Sequence, residues 1–495
     1  MMDIEIKHLY FGFDQQGTQL FSDINLRLST QWKLGLIGRN GRGKTTLLRL
    51  LMGDYQYVGD ISQNSKFTYF PQTIQDSQQI TYNILQALSN FDFWKISREL
   101  TLLGLTDDIL WRKFSSLSGG EQTKVLLSLL FVDDTSFPLI DEPTNHLDQA
   151  SRQQVVHYLK EKKQGFIVVS HDRNFIDEIV DRTLSIEKHK VLLQKGNFQV
   201  YDDQKKQTDA YEKEQNDQLK KEIKHIKQVS KTVATWALQR ENETNDSASR
   251  RLAKKQAKRS KAIAKRSESK VEAKSALLKN IESVSPLTLN FTPTTHQQLL
   301  KVENLQLNYD KPLFEPISFE LNLGERLAIQ GNNGAGKSSL VQYLQDNFAG
   351  TATGKMQHPQ SLTISYLRQN YDDNHGTLAE FALANHLSYE DLLNNLFKLG
   401  LERHVFQNRI EHMSMGQQKR IELAKSLMTP AELYIWDEPL NYLDVFNQEQ
   451  IANIINQIQP TMIIIEHDAN FLATTSTKTL HLQTPASKKP NILDD

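Results

Sequence analysis

Short, β-branched apolar runs alternate along this chain with longer segments whose apolar positions recur every three or four residues, and the whole alternation occurs twice. Residues 4–13 (IEIKHLYFGF) and 33–38 (KLGLIG) predict strands, and a helix is expected to open at Lys44 and run to Met52 directly after the second. Residues 138–142 (PLIDE) and 165–172 (GFIVVSHD) are apolar runs that end in polar residues. That is the pattern of buried parallel strands carrying a site at their C-terminal ends. Residues 299–309 (LLKVENLQLNY), 326–331 (RLAIQG), 432–438 (ELYIWDE) and 461–468 (TMIIIEHD) repeat the series. The prediction is an α/β chain with two copies of one domain.

Between the copies the period changes. Leu219, Ile223, Ile226, Val233 and Ala237 step by fours and threes, with Ser230 filling one position of the seam. The stretch RENETNDSAS (240–249) then loses apolar periodicity and has a turn composition. A weaker stripe follows at Ala264, Val271, Leu278 and Ile281, and Pro286 ends it. These patterns predict an α-helical hairpin with its tip near 241–249. The expected organisation is a first domain over 1–202, a helical linker over 203–285, a second domain over 286–482 and a short disordered tail over 483–495.

Polar motifs recur in the same order as the strands. Lys44 recurs as Lys337, Gln72 as Gln369, Ser118 as Ser414, Asp141 as Asp437 and His171 as His467, at offsets of 293, 297, 296, 296 and 296. One separation for five motifs means domain duplication rather than a solenoid of small units. The segments 38–45 and 331–338 both have phosphate-loop spacing, and each follows a predicted strand and opens a predicted helix. Their candidate ATP contacts are Gly38, Asn40, Gly41, Gly43, Lys44, Thr45 and Thr46, and then Gly331, Asn333, Gly334, Gly336, Lys337, Ser338 and Ser339. Glycines let backbone N–H groups converge on phosphate at a helix N-terminus, where the dipole favours negative charge. The two lysines would reach the β- and γ-phosphates, and the Thr45 and Ser338 hydroxyls would face Mg²⁺. Asp141 and Asp437 end apolar strands and suit Mg²⁺. Glu142 and Glu438, next in sequence, are placed to polarise an attacking water.

Composition narrows the class. The 495 residues contain no Cys, which excludes disulfide frameworks and thiolate metal sites. No apolar run approaches the ~20 residues that span a bilayer, and the N-terminal residues alternate apolar and charged, unlike a signal peptide. A cytoplasmic location is expected. The net charge of −1 conceals an asymmetry: residues 205–282 hold 21 Lys and Arg against 11 Asp and Glu, so this stretch carries +10 and the rest −11. Within 250–266 there are nine basic residues and no acid: Arg250, Arg251, Lys254, Lys255, Lys258, Arg259, Lys261, Lys265 and Arg266. Such a local excess predicts a polyanionic partner, with these nine as its candidate contacts.

Leu117-Ser118-Gly119-Gly120-Glu121 stands 79 residues after Gly38 and 24 before Asp141. With that spacing it resembles the signature of ATP-binding cassette proteins, and the resemblance covers nearly the whole chain. It implies two tandem cassette domains, paired within one monomer, in which the signature helix of one domain binds the γ-phosphate of ATP held by the other. It assigns Ser118, Gly119, Gly120, Ser414 and Gly416 to ATP, Gln72 and Gln369 to Mg²⁺ sensing, and His171 and His467 to a γ-phosphate switch. It also places Phe13 and Tyr309 on adenine. The second copy departs from the pattern at Met415, where a small glycine is expected, and at Leu440 and Tyr442, which replace Thr144 and His146. Met415 is expected to crowd the phosphate or alter the local backbone, so that the Lys44–Ser414 site hydrolyses differently from the Lys337–Ser118 site.

Two fused cassettes with a charged helical linker look like the ABC-F family of translation-associated ATPases. Residues 35–46, 137–142, 413–417 and 434–444 resemble its Lsa-type antibiotic-resistance branch. That resemblance implies ATP-dependent binding in the E site of the 70S ribosome, contact of the hairpin with rRNA and P-site tRNA, and displacement of lincosamide, streptogramin A or pleuromutilin drugs. Only 46 residues separate Gln72 from Ser118, which leaves little room for the large arm of some housekeeping members. The tip is shorter and more polar than in Lsa-like members, which leaves a translation factor without a drug role as an alternative. A fused ATPase subunit of a membrane importer and a DNA-associated ATPase are the others. An importer subunit needs no basic hairpin, and a DNA-associated ATPase is expected to carry longer coiled coils or zinc-binding Cys pairs.

Overall fold

The computed structural model describes residues 3–13, 19–63, 65–144, 147–187, 190–242, 247–276, 286–332 and 334–485. The chain divides into two compact units, Met1–Phe198 with Ser285–Asp495, and Gln199–Val284.

The first unit holds both copies. In the N-terminal copy a sheet runs in the order Phe67–Phe70, Phe137–Asp141, Phe166–Val169, Lys33–Gly38, Arg182–Glu187, Lys190–Lys195. All neighbours are parallel except the last pair. The C-terminal copy repeats the order with Ile364–Leu367, Leu433–Asp437, Met462–Ile465, Arg326–Gln330 and Lys478–His481, all parallel. The strands Phe137–Asp141, Leu433–Asp437 and Met462–Ile465 are buried along their whole length, because helices cover both faces of a parallel sheet. Each copy adds a three-stranded antiparallel sheet, with Asp3–Gly12 between Gln19–Ser29 and Val58–Ser62, and Gln298–Asn308 between Ile317–Asn322 and Thr351–Gln357.

Register positions the chemistry. Asp141 pairs with Val169 and Asp437 with Ile465, so the residues beyond those strand ends meet across the top of each sheet. Trp436 fills the second core without solvent exposure, and its indole N–H donates to Ser426 Oγ at 2.9 Å. Trp436→Ala is expected to cost about 3–5 kcal/mol through the cavity it leaves, measured by chemical denaturation.

The second unit consists of the helices Phe198–Asn242 and Ser247–Ala276. Lys274 Nζ donates to Glu222 at 2.5 Å, which sets the far end of the second helix beside the first and makes the pair antiparallel. Residues 243–246 of the expected tip, the stripe positions Leu278 and Ile281, and tail residues 486–495 lie outside the described residues, as do the side chains of Arg250, Arg251, Lys254, Lys255, Arg259 and Lys261. Lys258, Lys265 and Arg266 are exposed.

Candidate functional site

Both phosphate loops end in a left-handed glycine that opens a helix. Gly43 at φ 90° precedes Lys44–Met52, and Gly336 at φ 89° precedes Lys337–Leu344. That positive φ favours glycine, and a β-carbon at Gly43 would also lie 2.7 Å from Leu20 Cδ2. Lys44 Nζ donates to the Gly38 carbonyl at 2.7 Å and to Asn40 Oδ1 at 3.2 Å. Lys337 Nζ donates to the carbonyls of Gly331 at 2.7 Å and Asn332 at 3.1 Å. Burial lowers both ammonium pKa values, while Asp444 and Glu142 push back on Lys44. Of the predicted loop residues, Asn333 lies outside the described residues.

The acidic strand ends behave alike in the two copies. Thr45 Oγ1 donates to Asp141 Oδ2 at 2.7 Å, and Ser338 Oγ to Asp437 Oδ2 at 3.4 Å. Burial, then Glu438, pushes Asp437 up to about 6. Glu142 and Glu438 both adopt left-handed backbone, at φ 53° and 49°, held by N–H bonds to the Val169 and Ile465 carbonyls at 2.8 and 2.9 Å. Strain of this kind, repeated at one position in two copies, marks a functional constraint on where the carboxylate points.

Around those glutamates the copies diverge. In the first, Glu142 faces His171, with Nε2 at 3.3 Å and the His171 N–H donating at 3.3 Å. Burial raises the Glu142 carboxyl pKa and lowers the His171 imidazole pKa, so the ring is neutral. In the second, Gln369 Nε2 and Asn441 Nδ2 donate to Glu438 at 2.8 and 2.6 Å, and His467 Nε2 is buried with no hydrogen-bond partner among the described residues. Gln72 differs from Gln369: its amide donates to the Leu126 carbonyl at 3.3 Å instead of reaching Glu142.

The signature segments open the helices Gly119–Leu130 and Met415–Met428, each through a capping box, Ser118 with Glu121 and Ser414 with Gln417. Met415 is therefore an ordinary first helical residue, half-exposed, and the expected backbone change does not occur. The reason is that helix N1 needs no positive φ, so a side chain is tolerated where Gly119 stands.

The loop of the first copy and the signature of the second face each other. One cavity of about 690 Å³ is lined by Asn40, Lys44, Thr45, Glu142 and His171 from the first copy, and by Ser414, Gly416, Arg420, Asn441 and Glu466 from the second. Phe13, one residue past the end of its strand, lines the same cavity. Tyr309, likewise one residue past its strand, is 52% exposed and rests on Phe348. The seam is bonded directly: Asn40 N–H donates to Asp444 Oδ2 at 2.7 Å, Asn40 Nδ2 to the Tyr442 carbonyl at 3.2 Å, and Arg173 Nη2 to the Val445 carbonyl at 2.9 Å. Burial alone would raise the Asp444 carboxyl pKa, but the Asn40 N–H, Lys44 and Arg420 outweigh it and hold the group ionised.

The cavity thus has a phosphate loop on one side and a helix N-terminus on the other. The family model described as ABC transporter matches residues 21–145 and 314–441. The chain belongs to the ABC transporter family. Its two copies are ATP-binding domains of that family, and the protein is an ATPase of the ABC-F type. It is 28% identical to the ribosome protection protein VmlR of Bacillus subtilis, across 95% of this chain and 85% of that one. It is 24% identical to the ABC transporter ATP-binding protein YfmM of the same organism, across 99% and 100%, and 26% identical to ABC transporter F family member 4 of Arabidopsis thaliana, across 96% and 73%. Among solved structures, the archaeal ribosome recycling factor aABCE1, in complex with stalk protein aP1, superposes with a TM-score of 0.62 at 17% identity, covering 96% of this chain and 87% of that one. That likeness shows the tandem fold. No helix among the described residues is long and apolar enough to cross a membrane.

Arg420 and Glu466 line the cavity and Asp444 bonds the seam beside it, and motif reading passes over all three. Leu443-Asp444 repeats Leu147-Asp148 at the same offset of 296, which is a legible signal. Asp444 also caps helix Val445–Ile458 and lies 4.0 Å from the buried Arg420 guanidinium. Asp444→Ala of this ABC-F chain removes the cap and leaves Arg420 buried and unpaired, an expected loss of about 3–5 kcal/mol by thermal or chemical melting.

Proposed function

We propose that this chain is a cytoplasmic, ATP-switched ribosome-binding protein that protects the peptidyl-transferase centre from antibiotics. The observation that carries the reading is the 690 Å³ cavity between the Lys44 loop and the Ser414 helix, which ATP would bridge so that closure depends on nucleotide. Lys44 and Lys337 would hold the β- and γ-phosphates. Thr45 with Asp141, and Ser338 with Asp437, offer the hard oxygen donors that Mg²⁺ takes alongside phosphate and water. Glu142 and Glu438 would orient and polarise the attacking water, with His171 and His467 beside the γ-phosphate.

Closure would set the attitude of a basic hairpin toward rRNA and P-site tRNA from the E site. Drugs of the lincosamide, streptogramin A and pleuromutilin classes would then be displaced. The chain would act as a monomer whose two domains pair with each other, and no membrane subunit is needed. The likeness to a ribosome protection protein over 95% of the chain supports this. A second reading, a translation factor without a drug role, is favoured by similar likeness to other F-branch proteins not named for protection.

Growth inhibition by lincomycin and tiamulin, with and without expression in a sensitive host, separates the two. Resistance raised at least fourfold by the wild-type chain, and lost with Lys44→Ala, is expected for protection on the scale of one lost charge-assisted phosphate contact (about 1.5–3 kcal/mol). Unchanged inhibition with intact ribosome binding would favour the translation factor.

A further inference from the structure

The two copies solve one local problem differently. In the first, the Thr144 and Ser170 hydroxyls lie 3.0 Å apart and tie the segment after Glu142 to the segment before His171. The corresponding residues of the second copy, 296 further on, are Leu440 and Glu466. Leucine has no hydroxyl, and the Glu466 carboxylate takes over the tie. Its Oε2 accepts from the Leu440 N–H at 3.2 Å and its Oε1 from the His467 N–H at 2.7 Å. Glu466 is 5% exposed and borders the clamp cavity, and burying a carboxyl group in place of a serine is costly unless it does something a hydroxyl cannot. Burial raises its pKa to about 7.

A carboxylate can accept from both backbones at once. One of those backbones carries His467, the candidate switch at the Lys337 nucleotide. The other leads within four residues to Tyr442 and Asp444, which hold Asn40, and Asn40 Oδ1 in turn receives Lys44 Nζ. Hydrogen bonds and a short stretch of backbone therefore join the switch of one site to the phosphate loop of the other.

We propose that Glu466 is a positioning residue that couples the two ATP sites, reporting the state of His467 at the Lys337 site to the loop that holds nucleotide at Lys44. The proposal rests on the ATP-clamp reading and adds to it a route and a residue. Glu466 touches no reacting atom; it acts through the two N–H groups it holds.

Steady-state ATP hydrolysis by the full-length chain, followed across ATP concentration, tests it. Wild type is expected to be sigmoidal, with a Hill coefficient approaching the limit of about 2 for two sites. Glu466→Ser combined with Leu440→Thr installs the hydroxyl pair of the first copy. It is expected to fold, to fall to a Hill coefficient of about 1 and to raise half-saturation roughly five- to tenfold, the lower end of the usual span of a coupling energy. Glu466→Gln, which keeps the size but only one acceptor oxygen, is expected to lie between, and it gives the answer alone if the double variant does not fold. An unchanged Hill coefficient in a folded variant, or a non-cooperative wild type, overturns the coupling. A wild-type chain that hydrolyses no ATP would instead overturn the clamp reading itself.

Discussion

Glu142→Gln combined with Glu438→Gln lowers multiple-turnover ATP hydrolysis by about 10²- to 10⁴-fold, the usual contribution of a positioned base, and leaves ATP binding intact. Both side chains leave the backbone at a left-handed residue pinned to the neighbouring strand, so an isosteric amide should occupy the same place without refolding the loop. What it cannot do is take a proton. The clamp should then close on ATP and stay closed, and the doubly substituted chain should co-sediment with ribosomes in ATP and not without it. Equal recovery in both conditions would remove nucleotide from control of binding. The single variants are informative because the two glutamates are held differently, Glu142 against His171 and Glu438 by Gln369 and Asn441. Unequal losses from Glu142→Gln and Glu438→Gln would report that difference in turnover.

The duplicated α/β fold was legible because parallel strands buried on both faces must be apolar throughout, and such runs stand out in sequence. Residues 33–38 and 44–52 became the strand Lys33–Gly38 and the helix Lys44–Met52 with the bounds that the pattern predicts. Motif spacing likewise placed Thr45 against Asp141 and Ser338 against Asp437. What sequence could not supply was the state of each side chain. Gln72 and Gln369 occupy the same motif position, yet one bonds the Leu126 carbonyl and the other Glu438, because rotamer choice depends on neighbours distant in the chain. The backbone entering the helix at Met415 matches that at Gly119, because a residue that begins a helix needs no positive φ. Glu466 was hidden because it takes over a tie that serine makes in the other copy, and only the geometry reveals that both positions do the same job.

Replacing the nine basic residues of 250–266 by Gln is expected to cut ribosome affinity steeply and to flatten its salt dependence. Each Lys or Arg that neutralises an RNA phosphate releases counterions and contributes roughly 0.7–0.9 to the slope of log K against log salt. If about five of the nine make such contacts, the slope should fall by about 4 and binding near 0.1 M salt by several powers of ten. Lys258, Lys265 and Arg266 are exposed on the second helix of the hairpin, so three of these charges are free to meet a polyanion without rearrangement. Residues 205–282 are mostly polar and carry +10, while the rest of the chain carries −11. A strongly acidic ATPase body does not approach RNA unaided, and the basic hairpin offsets that repulsion where contact is made. The substituted chain should hydrolyse ATP normally in isolation, since none of the nine belongs to the clamp. An unchanged salt slope, measured by co-sedimentation between about 0.05 and 0.2 M salt, would take the segment out of the interface. The positive charge would then serve another polyanion or none.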